Sequence, residues 1–318
     1  MNATDFVPQA FLWVAFEPPS INVAPDIMMT SPAPFFLTEM LNDFAAYEFW
    51  RRAVVGAVII SAVCSLLSVY VVLKRMAFVG QGISHSAFGG FALGVLLFGG
   101  SVGAESRIYA VALIFCVAVA VLIGVITRHS RVSEDSAIGI FFAASMALGI
   151  IFFKMSKGYN QDVTSFLFGS ILALTRAELW FVGGLAMAVA LPLLLLQKEL
   201  LYYTFDEGMA AVSGVPVAAL HYLLLILLAI TVVVSVRMAG IVLISAFLIL
   251  PGAIANLLTL RFHRMVALSL ATGLLTTLGG IAISWRTDWP TGATIVLLQF
   301  IVFSAVFVLR KLQGTLEA

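Results

Sequence analysis

The sequence predicts an all-α polytopic membrane protein of about nine transmembrane helices, with a short re-entrant or interfacial segment and a short cytoplasmic helix. Three observations carry this. Of 318 residues, 62% are hydrophobic and only 10% are charged, and the mean hydropathy is +1.11, which excludes an ordinary soluble domain. The apolar residues gather into runs of spanning length bounded by short charged loops. The formal net charge of +1 offers no large basic surface, so nucleic acid is excluded as a partner and membrane lipid is expected.

Residues 1–49 contain no Lys or Arg and carry Asp5, Glu17, Asp26, Glu39, Asp43 and Glu48 with several prolines. They show no secretory n-region ahead of an apolar core. A tail without positive charge translocates readily, so it is placed outside the cytoplasm, with Thr38 to Arg52 as an interfacial helix whose aromatic residues sit at headgroup level. The transmembrane domain is assigned to 50–312 and a cytoplasmic tail to 313–318.

The first span, Ala53 to Leu73, has 21 uncharged residues, enough for about 31 Å of helix. Lys74 and Arg75 end it. Further spans are predicted at 83–100, 108–127, 136–153, 179–196, 218–236, 239–260, 265–285 and 291–309. Val163 to Thr175 is apolar but too short to cross, and reads as the re-entrant or interfacial segment on the outer side. An outer N-terminus puts Lys74, Arg75, Arg128, Arg131, Lys198, Arg261, Arg264, Arg310 and Lys311 inside. Cys64 and Cys116 fall within apolar runs and read as small core residues, not a disulfide.

Lys74 to Leu97 is the stretch least like a passive lipid-facing span. Gly82, Ser86, Gly90 and Gly94 recur at i+4 and form a small-residue stripe for helix packing. Beside it Gln81 and His85 stand one turn apart, with Ser84 next to them. Polar groups in hydrocarbon face a partner or a cavity, so this segment is read either as lining a path for a small cation or, in the case of His85, as a hydrogen-bonded core residue.

Three other stretches carry polar or breaking residues. In 197–220, Phe205, Asp206, Glu207 and Met209 to Val212, with Ala210 among them, are followed by Gly214 and Pro216. They read as a short surface helix ended by glycine and proline, either a rigid ledge for a partner protein or a plain linker. Pro251 and Gly252 fall inside the 239–260 span, where they are expected to break the helix, with Asn256 five residues after the proline. This is either part of a translocation path or a packing kink. Asp162 and Asp288, in outer loops, are placed either to draw cations to an entrance or as solvated loop charges.

These stretches together resemble the permease subunits of bacterial metal-ion ATP-binding cassette transporters, the ABC-3 family, which import zinc, manganese or iron. The likeness rests on LKRMAFVGQGISHSAFGGFALG, TFDEGMAAVSGVPV, GIVLISAFLILPGAIANLLT and WPTGATIVL, in family order from about residue 50 to 310. The resemblance implies a multi-pass subunit of the bacterial inner membrane that is not itself an enzyme and works by alternating access. It implies a second permease copy, identical or paralogous, a cytoplasmic ATPase docked on 205–216 as a coupling helix, and an extracytoplasmic metal-binding protein. No permanent cofactor is implied, only a transported divalent metal ion. In agreement, the chain has no G-x-x-x-x-G-K-[ST] loop. The family commonly has Asp four residues before the His; here Gln81 stands there, which supplies only a neutral carbonyl oxygen.

Two other functions stay open at this point. A permease for a chelated metal fits the missing carboxylate. An ion-driven secondary carrier or intramembrane metalloenzyme finds little support, because the chain has no H-E-x-x-H and the predicted spans lack carboxylates suited to ion coupling.

Overall fold

The computed structural model describes residues 44, 46–99, 105–156 and 175–314. Asp162, residues 163–174, nearly all of the 1–49 tail and residues 315–318 lie outside the described residues, so the expectations for the entrance, the re-entrant segment and both tails find no description there.

The described elements are twelve α-helices: α1 Glu48–Leu73, α2 Ala77–Phe98, α3 Glu105–His129, α4 Glu134–Met155, α5 Arg176–Leu195, α6 Gln197–Phe205, α7 Glu207–Val212, α8 Val217–Ala239, α9 Ile241–Phe247, α10 Leu250–Leu258, α11 Phe262–Thr287 and α12 Thr291–Leu312. Eight are long and apolar enough to cross a membrane. The part of the expected interfacial helix that is described as continuous helix, from Glu48 onward, is the first turn of α1. No polar break separates residues 48–52 from the span, so one helix runs through both.

The expected span at 239–260 is the one that differs in build. It consists of α9 and α10, seven and nine residues long. The break falls at Leu248 and Ile249, ahead of Pro251, which occupies the first turn of α10. Proline is tolerated at a helix start because its missing N–H needs no intrahelical partner there. The residue therefore opens a second helix instead of kinking the middle of one. The backbone groups freed at the break are met by protein. Ser68 of α1 donates to the Ile249 carbonyl at 3.2 Å and accepts from the Gly252 amide at 2.8 Å. One side chain thereby satisfies the buried Gly252 amide, as lipid-immersed backbone requires, and adds a second bond to the Ile249 carbonyl, which also accepts from the Ala253 amide.

Ser68 ends a row of buried hydroxyls on α1. Ser61 accepts from Thr277 at 2.9 Å, and the Ser65 carbonyl accepts from Ser269 at 2.7 Å, tying α1 to α11. Ser61, Ser65 and Ser68 are spaced at four and three residues, which sets them on one helix face. Ser68→Ala strands the Gly252 amide at the break, whereas the Ile249 carbonyl keeps its bond from the Ala253 amide at 2.9 Å. A destabilisation of about 1–3 kcal/mol follows from the unsatisfied buried amide, to be read as a lower thermal midpoint of the detergent-solubilised protein.

The direction of each pass follows from contacts at the ends. Tyr70 near the end of α1 packs its ring 5.7 Å from Phe262 at the start of α11, and Arg310 of α12 donates to the Leu258 carbonyl that closes α10. Lys74 meets Glu207 and Arg128 reaches the same carboxylate. The ends of α1, α3, α10 and α12 and the starts of α2, α7 and α11 therefore share one end, called here the Lys74 end. The α9–α10 pair thus connects opposite ends, as a single span does. Cys64 and Cys116 are buried free thiols.

Candidate functional site: the His85 helix and the Lys74 end

Helix α2 is pressed between α3 and α4. Successive i+4 positions drift by about 40° around a helix, and the small-residue stripe follows that drift from one neighbour to the other. At Gly82 a Cβ would lie 2.5 Å from the Ile138 side chain of α4; at Gly90 and Gly94 it would lie 2.9 Å from the backbone of Ala112 and Ile108 of α3. Gly89, off that row, comes within 2.7 Å of the Ser145 carbonyl by the same measure. Ser86 donates to the Gly82 carbonyl at 2.8 Å, so its hydroxyl is satisfied inside its own helix. Gly80 meets Leu248, at the break between α9 and α10, which places that break beside the first turns of α2.

On this clamped helix His85 is half-buried, and its ring meets Phe142 of α4 edge-on, centroids 4.7 Å apart. Its Nδ1 is buried with no hydrogen-bond partner among the described residues. The core reading of His85 asks for such a partner, and none stands among the described residues. Ser84 is buried and donates to the Gln81 carbonyl at 2.9 Å, so its hydroxyl is occupied. The Gln81 side chain is exposed on the surface of this chain, as is Asn256 on α10. Pro251 is buried at the start of α10. Asp288 is exposed at the opposite end, closing α11 with a left-handed φ of 54°. Among the described residues no three His, Cys, Asp or Glu side chains gather closely enough to hold a metal.

At the Lys74 end, α6 and α7 form a short angled pair. Asp206 caps α7, its carboxylate accepting from the Met209 amide at 2.9 Å. Its charge therefore serves the helix start, where an acidic cap is favoured. Gly214 follows with φ of 83°, a backbone conformation that glycine adopts without cost, and Pro216 stands at the start of α8. Ala210 is fully buried, whereas Phe205, Met209 and Val212 are exposed, Val212 by 85%.

Glu207, expected in the coupling segment, joins Lys74 and Arg128, expected only as cytoplasmic charges, and Tyr203 and His221, which the sequence does not single out. Lys74 Nζ lies 3.0 Å from the Glu207 carboxylate, donates to the Tyr203 carbonyl at 3.2 Å and sits 3.9 Å above the Tyr203 ring. Arg128 stands 3.8 Å from Glu207. The buried Tyr203 hydroxyl shares a 2.9 Å hydrogen bond with His221 Nδ1. Burial, reinforced by the Glu207 and Glu134 carboxylates, pushes that hydroxyl above its ordinary pKa and keeps it protonated. A cavity of about 370 Å³ opens among Lys74, Arg128, Glu134, Tyr203, Glu207 and His221. Lys74 and Glu207 are 133 positions apart, so no local pattern announces the pair.

Eight membrane-length helices, a broken pass and a short helix pair at one end define a multi-pass α-helical membrane protein. The family model described as ABC 3 transport family matches residues 46–310. The manganese transport system membrane protein MntC of Halalkalibacterium halodurans is 37% identical over 280 residues, 88% of this chain and 94% of that protein. The chelated iron transport system membrane protein YfeD of Yersinia pestis is 34% identical over 281 residues, 87% of this chain and 91% of that one. Among solved structures, PsaBC from Streptococcus pneumoniae in complex with Fab matches with a TM-score of 0.75 at 30% identity, covering 85% of this chain and 95% of its own. The chain belongs to the ABC 3 transport family.

Proposed function

We propose that this chain is the membrane-spanning subunit of an importer for divalent metal ions, manganese, iron or zinc, in the bacterial inner membrane. Hydrolysis of ATP belongs to a separate subunit, and an extracytoplasmic binding protein delivers the metal. The names of the relatives support metal as the cargo. The observation that carries the reading is His85: an imidazole inside a spanning helix, with a buried Nδ1 that nothing among the described residues bonds. Imidazole suits several first-row ions and does not select among them. Among the described residues of one chain no three such donors gather, and a permease working as a pair, each copy supplying its own His85, fits that sparse set. Few ligands also make a weak site, and a conduit must release what it binds.

A chelated metal is the second reading. It is favoured by Gln81, a neutral amide where the family commonly has a carboxylate, and by the similarity to the chelated iron transport protein of Yersinia pestis.

The α6–α7 pair is the dock for the ATPase. Phe205, Met209 and Val212 form an exposed apolar patch beside the charged loops assigned to the cytoplasm, and apolar side chains so placed mark a protein contact. Met209→Asp with Val212→Asp adds two charges to the patch while leaving the Asp206 cap and the buried Ala210 in place. The expected result is loss of most of the ATPase on co-purification, roughly tenfold or more for two disrupted central contacts. Unchanged recovery of the ATPase contradicts the docking surface.

A further inference from the structure

We propose that Glu207 is a positioning residue that ties α7 to the end of α1, which leads directly into the His85 helix, and to α3, which packs on that helix, so that displacement of α7 moves α2. This rests on the reading of α6–α7 as the ATPase dock. Asp206 and Glu207 are adjacent acids with separate tasks: the first is spent on capping α7, and the second bonds residues of two other helices. One partner, Lys74, closes α1 and is held from both sides of the short pair, by the Tyr203 carbonyl and ring of α6 and by Glu207 of α7. The other partner, Arg128, lies in the last turn of α3.

Lys74 transmits displacement to α2 because the connection has no slack. Only Arg75 and Met76 separate it from Ala77, where α2 starts. The Lys74, Arg75 and Met76 amides bond back to the carbonyls of Tyr70, Val72 and Val71 at 2.9, 3.1 and 2.9 Å. Arg75 holds a left-handed φ of 59°, an uncommon conformation for a residue with a Cβ, which a turn this tight imposes. Gln81 and His85 follow within the first turns of α2. Arg128 acts through the same helix, since α3 presses its Ala112 and Ile108 backbone against Gly90 and Gly94. Both links to the Glu207 carboxylate therefore lead to the helix that carries His85.

The cavity of about 370 Å³ beside the pair lets the carboxylate change partners as α7 shifts, because Lys74, Arg128 and His221 all line it. The Glu207 side chain is half exposed, and such ion pairs contribute little to stability. Its removal is therefore read in coupling, not in unfolding.

The test uses the permease reconstituted with its ATPase in liposomes, with Mn²⁺ as the probe. Val212→Cys, joined to the ATPase by a thiol-to-amine cross-linker, reports docking separately from transport. With Glu207→Gln the cross-link still forms, and the Mn²⁺ moved per ATP hydrolysed falls about tenfold, equivalent to roughly 1.4 kcal/mol. Glu207→Asp, which keeps the charge, restores at least half of the wild-type ratio. An intact cross-link with a Glu207→Gln ratio within twofold of wild type overturns the proposal and leaves the dock standing. Failure of the cross-link in the otherwise wild-type complex overturns the dock itself.

Discussion

His85→Ala lowers metal uptake by the reconstituted transporter by at least about tenfold while the permease still folds and assembles. Loss of an outer-shell partner alone costs on the order of 10–100-fold in metal sites, and His85 is assigned to the ion itself. The substitution removes an imidazole whose Nδ1 bonds nothing among the described residues, so no buried partner is stranded. The lost ring contact with Phe142 affects packing locally. Uptake with membrane-inserted, ATPase-bound variant separates the two roles of the residue. Unchanged flux assigns His85 to packing against α4 and removes the metal path from α2.

The second large effect is on the fold. Gly94→Val introduces a side chain where even a Cβ would lie 2.9 Å from the Cα and carbonyl oxygen of Ile108. These are backbone atoms, so relief requires α2 and α3 to separate, not a rotamer to change. Overpacking of this kind costs about 1–3 kcal/mol or more, and here it also shifts the helix that bears His85. Gly183→Val on α5 is the matched control, since a Cβ there meets nothing within 4 Å. Thermal unfolding in detergent is expected to show a clear loss of stability for Gly94→Val and little for Gly183→Val. Equal midpoints for the two contradict close packing of α2 on α3.

Most of the fold was legible because hydrocarbon imposes a simple code: apolar runs of spanning length between charges. The broken pass was legible in kind but not in place. Pro251 signals a break, yet the break lies before it, because proline suits the first turn of the following helix. What covers the break was beyond any local pattern, since Ser68 is 184 positions from Gly252.

The site was legible unevenly. The glycine positions of α2 could be found by their i+4 spacing, though the drift that turns Gly82 toward α4 and Gly94 toward α3 needed the neighbours. Ser84, read as a lining residue, donates its hydroxyl to the Gln81 carbonyl, a bond not foreseen from the sequence. Asp206, read as part of the coupling segment, caps α7, a bond likewise not foreseen from the sequence. Glu207 was placed in the coupling segment, but its bonds to Lys74 and Arg128 join helices far apart in the chain.

ATP-dependent uptake of Mn²⁺, Fe²⁺ and Zn²⁺ into liposomes, with and without the ATPase and the binding protein, tests the account most directly. At least one of these ions accumulates only when the permease, ATPase, binding protein and ATP are all present, and His85→Ala reduces that accumulation. Robust uptake by the permease alone contradicts the account and assigns the chain to ATPase-independent transport.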